Sequence, residues 1–231
     1  MRLDKLLAHL GYGSRKEVKR LIRSKVVSVN GELVASDDLH VNPDEDEISV
    51  LDETIDYQAF QYFILNKPKD TICSTDASLY ASVLDLIDEP LRPHTMPVGR
   101  LDVDTEGLLL ITNDGQLAHR LLSPKHHVEK VYHLILEKEF SEKDGLKIEQ
   151  GIWLNEKERC LPAKVHILNP KEIELTLTEG KFHQVKRMMH ACDNEVLNLR
   201  RIRFGPLVLT DDLKIGEYRA LTHEELEHLK P

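Results

Sequence analysis

The sequence has few of the features that mark secreted, metal-binding or membrane proteins. Its three cysteines, Cys73, Cys160 and Cys192, are far apart and odd in number, so neither a disulfide framework nor a CxxC zinc site is indicated. Even the longest purely apolar runs, such as residues 108–111, are far shorter than the roughly 20 residues of a membrane span. The N-terminus lacks the apolar block of a secretion signal. These absences predict a cytoplasmic protein with reduced thiols and no membrane association.

Basic residues are missing from one long stretch and concentrated in another. Residues 26–62 contain ten carboxylates and no lysine or arginine, whereas residues 1–25 contain eight basic side chains and two acidic ones. The net charge of −9 argues against a nucleic-acid partner, but the basic N-terminal segment supplies local positive potential. We therefore expect two domains, 1–58 and 59–231, with the acidic stretch at the end of the first.

The first domain is predicted to be a helix-helix-hairpin module. Leucines with helical spacing define the first helix: Leu3, Leu6, Leu7 and Leu10. Ser14 and Glu17 form an S-x-x-E capping box that starts a second helix. Asn30-Gly31 between two apolar runs predicts a hairpin with a type I′ turn.

The second helix carries a basic stripe, which we define by four residues at positions i, i+3, i+4 and i+7: Lys16, Lys19, Arg20 and Arg23. An ordinary solvated helix face is the more common explanation of such a stripe. Here the acidic residues that normally alternate with the cations are almost absent. The alternative is a surface that binds phosphate groups.

The second domain mixes strands and short helices. Strand patterns occur in YFILNK, VYHLIL, AKVHIL and EIELTLT. Helical spacing returns at Val185, Met188, Met189 and Cys192, and Thr222 with Glu225 forms another capping box. There is no βαβ rhythm and no glycine-rich phosphate loop. We predict an α+β domain with a mixed, mostly antiparallel sheet flanked by helices.

Residues 97–115, PVGRLDVDTEGLLLITNDG, crowd carboxylates before a short apolar strand. Asp102, Asp104 and Glu106 match the first half of a calcium-binding loop, but the twelfth position is Asn113 where a bidentate glutamate is required. The residues after it predict a turn and no exiting helix. An aspartate that caps a turn is the usual structural explanation, and a catalytic carboxylate is the functional one.

Two resemblances cover nearly the whole chain. Residues 3–34 resemble the S4 RNA-binding domain along their whole length. GRLDVDTEGLLLITNDG closely resembles the G-R-L-D-x-x-T-x-G-L-L-L-x-T-x-D-G signature of pseudouridine synthases. Further segments similar to that family follow its order: FILNKPKDTICS, SPKHHVEKVYHL, EGKFHQVKRMM and LNLRRIRFGPLVL.

The resemblance implies catalytic roles for three residues. Asp102 would be the carboxylate that acts at C1′ of a flipped-out uridine, as nucleophile or as base. Lys181 matches the family position whose lysine or arginine pairs with that carboxylate, and Tyr132 matches the tyrosine that stacks on the uracil. A surface lysine and a tyrosine packed in the core are the corresponding structural explanations.

The remaining basic residues are candidates for RNA contacts. Arg100 is expected to hold a phosphate or the gap left by the extruded base. Eight further side chains are candidates for backbone phosphates: Lys67, Lys125, Lys130, Lys186, Arg187, Arg200, Arg201 and Arg203. No cofactor motif is present, and the isomerisation that the resemblance implies needs neither a cofactor nor a metal.

The SPKHHVEKVY segment and the chain length resemble most the branch of the family that acts on small-subunit (16S) ribosomal RNA, the pseudouridine synthase A type. This resemblance implies a target of the uridine 516 type, in small-subunit RNA or a partly assembled small subunit. The alternatives are a family member that acts on 23S RNA, a non-catalytic S4-type RNA-binding or assembly factor, and a calcium-binding protein. We expect a monomer, because one chain supplies both the RNA grip and the catalytic residues.

Overall fold

The chain forms two compact units in the computed structural model, which describes residues 1–43, 45–55, 60–74 and 79–229. The first unit is Met1–Gln61 with Ile87–Thr95, and the second is Tyr62–Leu86 with Met96–Pro231. The predicted boundary between residues 58 and 59 lies outside the described residues. Within the described ranges, no helix is long and apolar enough to cross a bilayer.

The first unit has two helices and a small antiparallel sheet. Its elements are α1 (Leu3–His9), α2 (Arg15–Arg23), β1 (Val27–Val29), β2 (Glu32–Leu33), β3 (Ile48–Val50) and β4 (Glu53–Thr54). The strand order is β2-β1-β3-β4. The core consists of fully buried apolar residues from both helices and the sheet: Leu3, Leu6, Leu7, Val18, Ile22 and Val27.

Local sequence signals in this unit are confirmed. The side chain of Ser14 accepts a hydrogen bond from the amide of Glu17, whose carboxylate accepts one from the amide of Ser14, so the capping box is complete. The turn between β1 and β2 has positive φ at both Asn30 and Gly31, as a type I′ turn requires. The helix-helix-hairpin prediction is therefore confirmed.

The described part of the second unit contains four α-helices, two short 3-10 helices and the remaining strands. The strands are β5 (Tyr62–Lys67), β6 (Thr71–Ile72), β7 (Ala81–Ser82), β8 (Met96–Pro97), β9 (Glu106–Thr112), β10 (Lys130–Leu136), β11 (Lys164–Asn169), β12 (Glu172–Leu177), β13 (Val196–Phe204), β14 (Leu207–Val208) and β15 (Tyr218–Ala220). The helices are α3 (Gly115–Leu122), α4 (Glu142–Glu149), α5 (Gln184–His190) and α6 (His223–Leu229).

A nine-stranded sheet organises this unit. The main path is β11-β12-β10-β13-β9-β5-β15, with β14 on β13 and β8 on β9. All pairs in it are antiparallel except β13 with β9, so the predicted α+β fold with a mixed, mostly antiparallel sheet is confirmed. Leu108, Leu109, Leu110 and Ile111 of β9 are all fully buried, which identifies β9 as a central strand covered on both faces.

Two expectations for residues 102–115 have different outcomes. A helix does follow the strand, contrary to the prediction, because Asp114 accepts hydrogen bonds from the amides of Gln116 and Leu117 and so caps α3. Residues 106–112 nevertheless run as the extended strand β9. An extended strand cannot wrap its oxygens around one ion as a calcium loop does, so the structure argues against the calcium alternative.

The parallel junction between β9 and β13 depends on Gly107. This residue pairs with Arg201, has φ of +107°, and would place an added Cβ 2.2 Å from the Arg201 carbonyl oxygen. No side chain fits at that distance. The absence of a side chain at position 107 is what allows the two central strands to approach.

We predict that Gly107→Ala destabilises the second unit more than Gly216→Ala does. Gly216 also has a positive φ, of +87°, but nothing lies within 4 Å of an added Cβ. Left-handed backbone strain of about 1–2 kcal/mol applies to both variants. Overpacking adds about 1–3 kcal/mol to the Gly107 variant alone. Urea denaturation followed by circular dichroism measures the difference, and equal losses would contradict the close approach.

Candidate active site

Asp102 lies in the loop that precedes β9. The loop is closed by a hydrogen bond from the Thr105 amide to the Asp102 carbonyl at 3.1 Å. The amide of Asp70 donates to the Val103 carbonyl at 2.9 Å, and the amide of Leu101 donates to Cys73 Sγ at 3.3 Å. The segment after β5 thus holds the Asp102 loop from the side.

The main anchor of the loop is the buried ammonium of Lys67, the last residue of β5. Its Nζ donates hydrogen bonds to the carbonyl oxygens of Asp102 at 3.1 Å, Val103 at 3.4 Å and Thr105 at 2.9 Å. A fourth acceptor is the carbonyl of Pro68 at 3.0 Å. Carbonyls that accept from Lys67 face the interior, which fixes the path of the loop backbone.

Lys67 was expected to contact RNA, and the structure contradicts this expectation. The residue is 0% exposed, so its ammonium cannot reach a phosphate of a bound RNA. Burial lowers the pKa of Lys67, and the negative charges around it oppose that shift. Lys67 holds the Asp102 loop in place through hydrogen bonds to its backbone carbonyls.

The Asp102 carboxylate is half-buried beside two groups from the α5 region. Oδ2 lies 3.4 Å from Lys186 Nζ, and Oδ1 lies 3.6 Å from His183 Nε2. Lys186 also donates to Asp104 at 2.5 Å. Burial works against the charge of Asp104, but the hydrogen bond and charge of Lys186 lower its pKa. The carboxylate of Asp102 is thus placed beside the Lys186 ammonium group.

The ion pair expected between Lys181 and Asp102 is not present. Lys181 Nζ donates instead to the Arg159 carbonyl at 2.6 Å and lies 3.6 Å from Glu179. Lys181 precedes α5, whereas Lys186 projects from within it and reaches the carboxylate. Lys186, expected to bind RNA phosphates, is therefore the lysine beside Asp102.

His183 is a site residue that the sequence reasoning missed. It precedes α5 in a left-handed conformation with φ of +48°, and its ring stacks on that of Phe182. The turn is fixed by Gln184, whose side chain accepts from the Lys181 amide at 2.8 Å and donates to Glu179 at 2.7 Å. The only available signal was the EGKFHQVKR segment, which does not by itself single out the histidine.

Tyr132 lies in β10, opposite Arg201 of β13, and is 9% exposed. No side-chain hydrogen bond or ion pair joins it to Asp102 within the described residues. Lys130 begins the same strand, and its ammonium lies 5.6 Å from the centre of the Phe204 ring. Burial, with a contribution from the charge of Arg201, lowers the pKa of Lys130 to about 8.

Arg201 was also expected to contact RNA, and its burial contradicts this expectation. It is 2% exposed, its Nε donates to the Leu108 carbonyl at 2.8 Å, and its guanidinium lies 5.0 Å from the centre of the Phe204 ring. A side chain held in this way belongs to the interior of the sheet. It supports the β9–β13 junction rather than an RNA surface.

The other basic residues that were expected to contact RNA differ in their exposure and in whether they form ion pairs within the chain. Arg100 is exposed, and no described residue pairs with it. Arg187 donates to Glu158 at 2.5 Å. In the basic stripe, Lys19 and Arg23 pair with Asp37 at 3.5 and 3.2 Å. Lys16 and Arg20 are exposed and form no ion pair with the described part of the chain.

Comparisons with known families match both units. Residues 61–191 match the family model described as RNA pseudouridylate synthase, and residues 1–48 match the S4 domain. A solved structure titled crystal structure of pseudouridylate synthase is 43% identical, covers 100% of both chains and has a TM-score of 0.71.

Curated relatives match over nearly their full length. An uncharacterized RNA pseudouridine synthase of Bacillus subtilis is 47% identical, with 99% of this chain and 98% of the relative covered. Ribosomal small subunit pseudouridine synthase A of Haemophilus influenzae is 43% identical, with 99% of each chain covered. The protein of the same name from Escherichia coli K12 is 41% identical, with 98% of each covered.

We predict that Lys67→Met lowers the free energy of unfolding of the second unit by at least about 2 kcal/mol, because buried carbonyls lose a charged donor. Lys69→Met is the matched control, since Lys69 is exposed and two residues away. Urea denaturation of both variants gives the comparison. A Lys67 variant as stable as the control, with a smaller salt dependence of RNA binding, would instead restore the expected phosphate contact.

Proposed function

The chain belongs to the RNA pseudouridylate synthase family, and from this membership we propose that it converts one uridine of small-subunit ribosomal RNA to pseudouridine. Full-length similarity to relatives named ribosomal small subunit pseudouridine synthase A supports this substrate class. The proposed target is the uridine 516 type. The observation that carries the catalytic proposal is the Asp102 carboxylate, held on an anchored loop beside Lys186.

The reaction requires a carboxylate and no external reactant. The C1′–N1 bond breaks, the freed uracil turns, C5 joins C1′, and the proton on C5 leaves while N1 gains one. A carboxylate beside C1′ can act as a nucleophile or as a base at the sugar, as carboxylates do in glycosidic chemistry. We propose that Asp102 has this role in one of these two modes.

The surroundings of Asp102 suit a reactive anion. A buried carboxylate needs a cationic or hydrogen-bonding neighbour to remain charged, because burial disfavours ionisation. Lys186 supplies the charge at 3.4 Å, and the half-buried position leaves the carboxylate accessible to a ribose. We propose Lys186 as the residue that orients and charge-balances Asp102, in place of Lys181.

Tyr132 and Arg100 complete the proposed nucleotide site. We propose that Tyr132 stacks on the target uracil and assists removal of the C5 proton. A uridine must leave its RNA stack to reach a carboxylate in a protein site, and an exposed guanidinium at position 100, two residues before Asp102, can hold a phosphate or the vacated space. The exposed state of Arg100 supports this role.

The S4 unit is proposed to bind the RNA through backbone phosphates. Lys16 and Arg20 are exposed along α2 and form no ion pair with the described residues, whereas Lys19 and Arg23 share Asp37. The partner would be small-subunit RNA or a partly assembled subunit, and the place of action the cytoplasm, with a single chain as the working unit. A 23S target or a non-catalytic role in assembly is the competing proposal.

We predict that Asp102→Asn abolishes pseudouridine formation, because an amide cannot serve as nucleophile or base. Asp104→Asn is the matched control: it removes a neighbouring carboxylate that contacts the same lysine. Each protein is incubated with unmodified small-subunit RNA, and pseudouridine is mapped by carbodiimide-dependent reverse-transcription stops. A stop produced by the Asp102 variant would refute the assignment, and a stop only in 23S RNA would favour the competing target.

We predict that Lys186→Met lowers kcat about tenfold or more with a smaller effect on KM, because the pairing with the carboxylate counts most in the transition state. Lys181→Met removes a lysine that contacts Glu179 instead, and is expected to retain most activity. Single-turnover rates at saturating RNA measure both variants. A larger loss for the Lys181 variant would return the charge-balancing role to that residue.

A further inference from the structure

Phe182 is an exposed aromatic side chain that stacks on His183, a neighbour of the proposed catalytic residue Asp102. It is 77% exposed, although it lies in the turn that delivers His183 and Lys186 to Asp102. Exposure of a large apolar ring to water is unfavourable by itself. Single exposed apolar side chains are nevertheless common on protein surfaces, so the feature that distinguishes Phe182 is its stacking on His183, which lies 3.6 Å from Asp102.

One face of the Phe182 ring is already covered. The His183 ring lies 3.8 Å away, centre to centre, with 18° between the planes, which is a stacked arrangement. The high exposure of Phe182 means that the other face is open. The two rings therefore form the end of a stack that one further flat ring can extend.

Hydrogen bonds hold the backbone that carries the stack. The carbonyl of Phe182 accepts a hydrogen bond from Arg187 at 3.3 Å, and Gln184, which is 4% exposed, braces the turn between Glu179 and Lys181. His183 keeps a left-handed backbone conformation, which is uncommon for a residue with a side chain and costs free energy unless the surroundings enforce it. A preorganised ring loses little entropy when a partner stacks on it.

We propose that the open face of Phe182 is a stacking site for an unpaired nucleobase that neighbours the target uridine in the RNA. This inference rests on the proposed function for the identity of the ligand. His183 lies 3.6 Å from Asp102 and stacks on Phe182, so two rings separate a base on Phe182 from the catalytic carboxylate, and that base is not the target itself. Stacking on this face would select an unpaired neighbouring base, because every nucleobase presents a flat ring.

The first test measures RNA affinity in the Asp102→Asn background, where turnover does not interfere. Phe182→Ala and Phe182→Leu are expected to weaken binding of a small-subunit RNA fragment about fivefold to 150-fold, the equivalent of about 1–3 kcal/mol for one stacked base. Phe182→Trp should bind as tightly as phenylalanine or more tightly. Leu146→Ala, which trims an exposed apolar side chain on α4, is the control and should have no effect.

The second test locates the base. Abasic sites are placed at each neighbour of the target uridine in turn, and the affinity of each RNA is measured for the protein that retains Phe182 and for the Phe182→Ala variant. One position should weaken binding strongly in the presence of the phenylalanine and little in its absence, and this loss of additivity identifies the stacked pair.

The outcomes separate the stacking site from the proposed function. Leucine that binds as well as phenylalanine, or abasic effects that are independent of Phe182, would overturn the stacking proposal. Both of these results are also expected if the ring binds a protein partner instead of a base. A wild-type protein that shows the non-additive pair but forms no pseudouridine would refute the proposed function and support the stacking site.

Discussion

The arrangement of the candidate site depends on one buried cation. Lys67 is fully buried, and an ammonium ion taken out of water without partners would cost several kcal/mol. Four carbonyl oxygens offset that cost, three of them from the loop that carries Asp102. Because those carbonyls must face inward to satisfy Lys67, the backbone of the loop has one favourable path. The carboxylate of Asp102 is consequently presented on a rigid backbone, which is a condition for catalysis by a positioned group.

The central sheet supplies the second constraint. Gly107 directly follows the first residue of β9 and pairs with both Lys67 of β5 and Arg201 of β13. One end of β9 therefore brings together the Asp102 loop, the buried Lys67 and the parallel pairing with β13. Tyr132 stands opposite Arg201 on the next strand, β10. The Asp102 loop and Tyr132 are thus tied to neighbouring positions of one sheet, so an error in the packing of position 107 would be transmitted to both.

Features set by residues that are close in the sequence were predictable, and features set by residues from distant segments were not. The Ser14–Glu17 capping box and the Asn30-Gly31 turn depend on residues at most three positions apart, and both were predictable. The identity of Asp102 as a candidate came from a motif. The partners of Asp102 were not predictable, because Lys67 and Lys186 reach its loop from distant segments through long flexible side chains. A lysine in a basic motif looks the same whether it enters the interior, pairs with a carboxylate or faces RNA, and this is why the contacts expected of Lys67 and Lys181 differ from those that the structure shows.

Several basic residues of this protein, which has a net charge of −9, already form ion pairs with acidic residues of the same chain. These ion pairs reduce the free energy that the basic residues gain by binding RNA phosphates. Lys19 and Arg23 share Asp37, Arg187 contacts Glu158, and Lys186 contacts Asp104. Partly exposed ion pairs of this kind contribute at most about 1 kcal/mol each, so a phosphate can replace the internal acid at small cost. The net gain per phosphate is reduced by the same amount, because the cation already has a partner. Long-range attraction for arbitrary RNA is therefore weak, and discrimination must come from contacts that internal acids cannot imitate. The open face of Phe182, which we propose to stack on a base, is a contact of that kind.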